Sequence, residues 1–241
     1  MNRLRYCCWL CLTLLLFASA DAGAETYKNI DERSGWGSCD ACAGFNARGA
    51  SASHSMQRGI SSPSLDGRST RFSIGGTHRY ANALWWTQIT SSRTAVKKAR
   101  NIVLDLYLYY KNRRAPQALE FAVTQYLDGR KLNFGIQCNI RTGDGPQWDV
   151  STASGWKHTG IACPAPPTYR WNHIVMEFQR TSSNQLRYIS VSLNGKKHYI
   201  NRYVSPRSSG FTGMTFHYQM DGNYWMDDYS TWLDKITVRT W

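Results

Sequence analysis

Short runs in which apolar and polar residues alternate dominate the chain from about residue 71 onward. Such runs, rich in aromatic and β-branched residues and separated by turn signals, are typical of the strands of a β-sandwich. No longer stretch carries the apolar stripe of an amphipathic helix. We therefore predict strands near residues 71–74, 83–89, 101–110, 118–127, 131–141, 147–150, 172–181, 186–194, 197–203, 213–220 and 231–240.

The same alternation assigns side chains to the two faces of each strand. In the strand predicted at 131–141, Phe134 and Ile136 face one side, and Gln137, Asn139 and Arg141 face the other. Similar counting on other strands predicts an outer face that is rich in hydrogen-bonding and aromatic side chains. Its other members are Asp105, Tyr107, Tyr109, Glu177, His217 and Gln219.

Two dipeptides mark tight turns between these strands. Asp128-Gly129 and Asn194-Gly195 each stand between strand-like runs, and both tolerate the positive φ angles of two-residue hairpins. Residues 25–65 are rich in Ser, Gly and Ala and show little periodicity. We predict an antiparallel, all-β sandwich with about 11–13 strands, spanning residues 66–241 after an irregular N-terminal arm at 25–65.

The first 24 residues have the pattern of a signal peptide. Arg3 and Arg5 precede an apolar run at 6–17, and the small residues of 22–24 fit a cleavage site. A retained membrane anchor is the alternative, but it needs about 20 apolar residues. We therefore predict export to the periplasm or the medium, with cleavage after Ala24 and no transmembrane segment in the mature chain.

Four cysteines remain after that cleavage, and an even number in an exported chain indicates disulfides. Four cysteines allow three pairings. We predict Cys39–Cys42, as a clip within the arm, and Cys138–Cys163, which closes a longer loop. A zinc site is the competing interpretation, since Cys39 and Cys42 form a C-x-x-C pair.

Several motifs resemble those of a known superfamily. The strand that begins Trp171-Asn172-His173, the Asn194-Gly195 hairpin and the closing segment at 233–238 resemble the later strands of concanavalin A-like, laminin-G-like jelly rolls. The segments at 36–44, 62–67, 82–86, 117–121, 134–141 and 220–224 resemble a family of uncharacterised exported bacterial proteins. This resemblance implies export and a jelly-roll fold, and it supplies no catalytic residues.

Enzymes of that architecture offer two alternatives. Retaining glucanases carry Glu-x-Asp-x-x-Glu on one strand, and this motif is absent here, which leaves Glu120 and Glu177 as the strand-borne glutamates. Polysaccharide lyases pair Gln and His with Tyr and Arg, but the Gln-hydrophobic-His signature is replaced by Gln137-Cys138-Asn139. If the protein is an enzyme, the candidate catalytic residues are His217, Tyr109, Arg141, Gln137, Glu120 and Glu177.

Binding of carbohydrate places fewer demands on the sequence, and we predict this function. Aromatic rings pack on the C–H faces of sugars, while amide, carboxylate and guanidinium groups bond the hydroxyls. The formal net charge of +13 favours an anionic polysaccharide, and no nucleic-acid-binding signature accompanies it. The predicted ligand-binding residues are Gln137, Asn139, Arg141, Tyr107, Tyr109, His217 and Gln219.

Two further questions stay open at the level of sequence. No cofactor is predicted, although jelly rolls often carry a structural calcium ion, for which Asp144, Asp149, Asp227 and Asp228 are the candidate ligands. The protein could also be a structural or adhesive envelope protein with no sugar site. Neither the glycan nor the oligomeric state follows from the residues.

Overall fold

The computed structural model describes residues 23–40, 52–141, 143 and 145–241. In this part of the chain, two antiparallel sheets of eight strands each pack face to face. The predicted antiparallel β-sandwich is thereby confirmed. A short α-helix, α1 (Arg93–Lys98), begins after Ser92, whose side chain accepts a hydrogen bond from the Ala95 backbone N–H.

The strands of the described residues are β1 (Glu25–Tyr27), β2 (Gly37–Cys39), β3 (Ser53–Ile60), β4 (Ser69–Gly75), β5 (Asn82–Thr90), β6 (Asn101–Tyr110), β7 (Pro116–Leu127), β8 (Arg130–Asn139), β9 (Gln147–Thr152), β10 (Gly155–Ala162), β11 (Asn172–Arg180), β12 (Leu186–Leu193), β13 (Lys196–Val204), β14 (Arg207–Ser208), β15 (Gly213–Gly222) and β16 (Tyr229–Thr240).

The two sheets interleave along the chain. The first sheet has the strand order β13-β12-β11-β6-β16-β4-β3, and β1 also pairs with β16. The second sheet has the order β10-β9-β8-β7-β15-β5-β2, and β14 also pairs with β8. Because most neighbours in each sheet are distant in sequence, the register between them is set by long-range contacts.

Each of the predicted strands is present, and β6 has the predicted bounds. The strand count is higher than predicted, since the described residues hold sixteen strands. Three of the additional strands, β1, β2 and β3, lie within the segment 25–65 that was expected to be irregular. The strand β3 is mostly exposed and carries few apolar residues, so it offers no hydrophobic alternation by which to detect it.

The core lies between the inner faces of the two sheets. Leu104, Leu106 and Leu108 of β6 are fully buried, as the alternation predicts. In the pair Trp85-Trp86 only Trp85 faces inward, where its ring packs against Phe72. Trp86 is left on the outer face of the second sheet.

The predicted Cys138–Cys163 disulfide is present and joins β8 to the segment after β10, with a Cα–Cα distance of 5.7 Å. Cys42, the partner predicted for Cys39, lies outside the described residues, as do residues 1–22 of the signal peptide predicted at 1–24. Within the described part, no helix is long and apolar enough to cross a membrane.

A bulge interrupts β16 between Asp234 and Thr237. Lys235 takes a left-handed conformation with a φ of 54°, which turns the Ile236 N–H out of the ladder. The carboxylate of Asp31 accepts that N–H at 2.9 Å, and the carboxylate of Asp234 accepts the Leu65 N–H at 2.6 Å. Two buried acidic side chains thus supply partners for backbone groups near the bulge.

Candidate functional site

A row of polar side chains crosses the outer face of the second sheet. Glu120 on β7 lies opposite Gln219 on β15 and opposite Gln137 on β8. The row continues from Gln137 to Asp149 on β9 and then to His158 on β10. Directly opposed residues in antiparallel strands share a face, so five neighbouring strands contribute to one line. We call these five residues the polar row.

A second row runs beside the polar row and carries a tryptophan near each end. In strand order it consists of Trp86, His217, Ala122, Gly135, Ser151 and Trp156. Its middle residues are small, and a β-carbon on Gly135 would lie 3.5 Å from the Trp156 ring. Trp156 therefore leans over the strand that carries Gln137, and Ala122 in the middle of the row is buried. We call this set the tryptophan row.

Asp149 is the best-satisfied carboxylate of the site. It is fully buried and accepts hydrogen bonds from the amides of Gln137 and Asn139, each at 3.0 Å. The Nδ1 atom of His158 lies 2.6 Å from its other oxygen. A buried carboxylate that lost these three partners would be left without compensation. The hydrogen bonds to Asp149 therefore hold the side chains of Gln137 and Asn139 in place.

Glu120 differs sharply from Asp149. Among the described residues no group donates a hydrogen bond to its carboxyl group or forms an ion pair with it. Loss of hydration, with a smaller contribution from the negative charge of Asp221, raises the pKa of Glu120 well above its usual value. The site therefore favours the protonated form of Glu120, which can donate a hydrogen bond to a ligand.

Asp221 lies on the same outer face, two residues beyond Gln219 on β15. Its carboxylate accepts a hydrogen bond of 2.8 Å from the Gln219 amide. Burial raises the pKa of Asp221 to about 6, although the Gln219 hydrogen bond acts in the opposite direction. At neutral pH Asp221 is therefore mainly the carboxylate, beside a glutamic acid that favours its neutral form.

His217 stands between Trp86 and Ala122 in the tryptophan row. Its Nε2 atom lies 2.6 Å from the Thr215 hydroxyl. Burial, and to a smaller extent the positive charge of Lys131, lower the pKa of His217 to about 4. The imidazole is therefore neutral at pH 7 and can both donate and accept a hydrogen bond.

One end of this face carries a pair of cations. Lys131 on β8 lies directly opposite Arg207 on β14, and like charges in that position repel each other. Burial and the positive charge of Arg207 lower the pKa of Lys131. In the described part of the chain no carboxylate pairs with either residue. We call Lys131 and Arg207 the cation pair.

The predicted ligand-binding residues do not all share one face. Gln137, Asn139, His217 and Gln219 lie on the second sheet, whereas Tyr107 and Tyr109 lie on β6 of the first sheet. The expectation that these residues line one sheet face is corrected here, because alternation fixes which way a side chain points but not which sheet its strand joins.

The two tyrosines belong to an aromatic cluster on the outer face of the first sheet. Tyr107 stacks on His173 at 4.5 Å, and Nε2 of His173 lies 2.7 Å from the Asp105 carboxylate. Tyr109 packs between Trp171 and Trp232. The rings of this cluster thus mainly contact each other.

Two candidate catalytic residues have structural partners. Glu177, on the first sheet, pairs with Lys197 at 2.7 Å and accepts a hydrogen bond from Ser190. It therefore lies apart from Glu120. Arg141 follows the end of β8, and its guanidinium donates hydrogen bonds to the backbone carbonyls of Pro116 and Arg114. Its side chain thereby ties two loops together at the end of the second sheet.

The calcium candidates do not converge in the described residues, which contain no cluster of three or more His, Cys, Asp or Glu side chains that could hold a metal ion. Asp144 lies outside the described residues. Asp149 is satisfied by the amides and imidazole described above. Asp227 accepts from Asn223 at 2.9 Å, and Asp228 accepts from the Gly76 N–H at 3.2 Å.

No protein-family model matches the chain, and no curated protein matches it. Membership of the family of exported bacterial proteins therefore stays a prediction. The chain does resemble several solved structures at low sequence identity.

One is the carbohydrate esterase vb_24B_21 from the Shiga toxin-encoding bacteriophage phi24B, at 13% identity, a TM-score of 0.49 and coverage of 90% of this chain and 99% of that one. Another is the Trypanosoma cruzi calreticulin globular domain, at 8% identity, a TM-score of 0.49 and coverage of 89% and 88%. A third is the carbohydrate recognition domain of Emp47p, at 8% identity, a TM-score of 0.48 and coverage of 89% and 95%. These similarities are distant and assign no activity to this chain.

The predicted site does not include Asp221, Trp156 or His158. Alternation places Asp221 on the same face as Gln219 and His217 of one strand. It does not reveal Trp156 and His158, because β10 contains Gly155 and Gly160 and has a register shift after His158. These interruptions remove the period of two by which strands are recognised.

Proposed function

We propose that this protein is exported and that it binds an acidic polysaccharide across the outer face of the second sheet. The observation that carries the proposal is the polar row, which aligns hydrogen-bonding side chains from five adjacent strands. An extended ligand could contact Glu120 and His158, which keep exposed surface, while the buried Asp149 holds Gln137 in place between them. The rings of Trp86 and Trp156 stand beside that line, where they can pack on the C–H faces of sugar rings.

The cation pair supports an acidic ligand. Lys131 and Arg207 repel each other across two strands, and a carboxylate or sulfate from a ligand would relieve that repulsion. Lys131 also lies close enough to His217 to affect its pKa, so the anion would bind beside the tryptophan row. The formal charge of +13 acts in the same direction over a longer range.

Export is supported by the N-terminal sequence pattern and by the Cys138–Cys163 disulfide. Disulfides of this kind persist in oxidising compartments and are rare in the cytosol.

The proposal is tested by affinity electrophoresis of the mature protein at low salt in gels containing polygalacturonate, alginate or a neutral β-glucan. We expect retardation by at least one of the two polyuronates and weaker retardation by the glucan. Trp156→Ala and Lys131→Met should each weaken binding about 5- to 30-fold, since each loses a contact worth about 1–2 kcal/mol.

Trp171→Ala, directly before β11 and packed on Tyr109 of the first sheet, and Arg71→Met, on β4 of the same sheet, serve as matched controls and should bind like wild type. If the controls lose binding while Trp156→Ala retains it, the ligand binds the first sheet and the proposed site is wrong. Absence of retardation in all three polymers would contradict the function itself and favour a structural or adhesive role.

A further inference from the structure

Glu120 is the most unusual side chain of the described chain. Its carboxyl group is directed to the outer face of a central strand, where Ala118 and Ala122 are its neighbours on the same face. Within the described ranges, no protein group forms a hydrogen bond or ion pair with it. Carboxyl groups held in this way destabilise the fold and are concentrated at functional sites.

A second carboxyl group lies within reach on the neighbouring strand. Glu120 is opposite Gln219, and Asp221 is opposite Ala118, so the two acids are diagonal neighbours on one face. Diagonal neighbours in an antiparallel pair have α-carbons about 7–8 Å apart, and the negative charge of Asp221 acts on the Glu120 carboxyl group. In glycosidases that invert configuration, the two carboxyl groups themselves stand about 6.5–9.5 Å apart, with room for a water molecule between the sugar and the base. Side chains on diagonal positions of one face can span such a separation.

We infer that Glu120 and Asp221 form a catalytic pair that hydrolyses glycosidic bonds of the polysaccharide bound across the second sheet. This inference rests on the proposed function, because it requires the sugar chain to lie along the polar row. Glu120 acts as the general acid and Asp221 as the general base. Gln219 is a positioning residue, because its amide holds the Asp221 carboxylate at 2.8 Å.

The two environments fit these roles. Loss of hydration and the charge of Asp221 raise the pKa of Glu120 well above its usual value, which favours the proton-carrying form that an acid needs. The pKa of Asp221 is about 6, so it is mainly ionised at neutral pH and able to accept a proton. His217, neutral at that pH, adds no competing positive charge beside them.

The reaction balances with water as the second reactant. The proton of Glu120 passes to the glycosidic oxygen as the bond from that oxygen to the anomeric carbon breaks. A water molecule attacks the anomeric carbon from the opposite face and gives a proton to Asp221. The products are a free hydroxyl on the leaving sugar and a new reducing end. Solvent then returns a proton to Glu120 and removes one from Asp221.

The test uses the mature protein and the polymer that retards it most in affinity electrophoresis. Wild type should generate new reducing ends, and the first-formed anomer should be inverted as observed by proton NMR. Glu120→Gln and Asp221→Asn should each lower the initial rate at least about 100-fold, with binding of the same polymer changed less than about twofold. Glu25→Gln, on the first sheet, is the matched control and should keep the wild-type rate.

The outcomes separate this inference from the function on which it rests. Binding by wild type without new reducing ends overturns the inference and leaves the binding function intact. Release of unsaturated uronates, detected by their ultraviolet absorbance, shows elimination and also overturns it, as does a retained anomer. Urea unfolding of each variant shows whether a lost rate reflects misfolding, and an active, folded Glu120→Gln variant excludes the proposed acid.

Discussion

Asp31 shows how one buried carboxyl group can link protonation to stability. It is 1% exposed, and its backbone hydrogen bonds, among them the one from the Ile236 N–H, do not replace the hydration it loses. Burial, together with the nearby charges of Asp234 and Glu32, raises the pKa of Asp31 to about 7. The folded state therefore binds this proton more tightly than the unfolded state, in which the pKa is that of a free aspartate.

The sign of the resulting pH dependence follows from that difference. Between about pH 4 and about pH 7, the unfolded chain has released the Asp31 proton while the folded chain still binds it. The free energy of unfolding therefore falls as the pH rises through this range. Asp31→Asn keeps the acceptor for Ile236 and removes the ionisation. We expect the variant to be more stable than wild type at pH 8, by up to about 4 kcal/mol, and nearly equal at pH 4.

Urea unfolding at a series of pH values measures this difference. Asp66→Asn, on an exposed loop, is the control and should follow the wild-type curve throughout. Equal wild-type and Asp31→Asn stabilities at pH 8 would show that the Asp31 carboxylate is tolerated when ionised.

Strands are the scale at which the sequence is most informative about this protein. Alternation locates β6, β8, β11 and β15 and gives the correct inner and outer faces. It does not place Tyr109 and His217 on different sheets, because strand order depends on contacts between residues far apart in sequence. It also does not detect Glu120 as an unpartnered acid, since the partners of a side chain depend on the neighbouring strands. The candidate site was therefore predictable in composition but not in arrangement.

The Cys138–Cys163 disulfide acts between secondary-structure elements, because it joins β8 to the segment that follows β10. Its sequence separation is 25 residues, and closing a loop of this size in the unfolded chain is worth about 3 kcal/mol. We expect Cys138→Ala combined with Cys163→Ala to lower the free energy of unfolding by about that amount, as measured in urea. Wild type treated with a reductant should lose stability similarly, and unchanged stability in both cases would assign the bridge no stabilising role.

At the scale of the whole molecule, the two outer faces have different chemistry. The second sheet carries the polar row and the cation pair, and the first carries an aromatic cluster whose rings contact each other. Interactions between exposed charges are screened over about 10 Å at 0.1 M salt. The excess positive charge of the chain should therefore contribute to polyanion binding mainly at low ionic strength.

We expect retardation by a polyuronate to fall steeply as salt rises from about 0.05 M to about 0.5 M. Weak binding to a neutral glucan should change little, since it depends on hydrogen bonds and ring packing. Lys131→Met should bind the polyuronate with a shallower salt dependence than wild type. An unchanged slope in this variant would show that the cation pair does not contact the polymer.

The position of β16 has a consequence for how the chain acquires its fold. Residues 229–240 lie between β4 and β6, with β1 also pairing to this strand. Until these residues are available, the two parts of the first sheet have no common neighbour, and Asp31 lacks the Ile236 N–H that it accepts. A chain still emerging from the ribosome therefore lacks the strand that joins the two parts of this layer. The first sheet is completed only when residues 229–240 pair with β4 and β6, which are far from them in sequence.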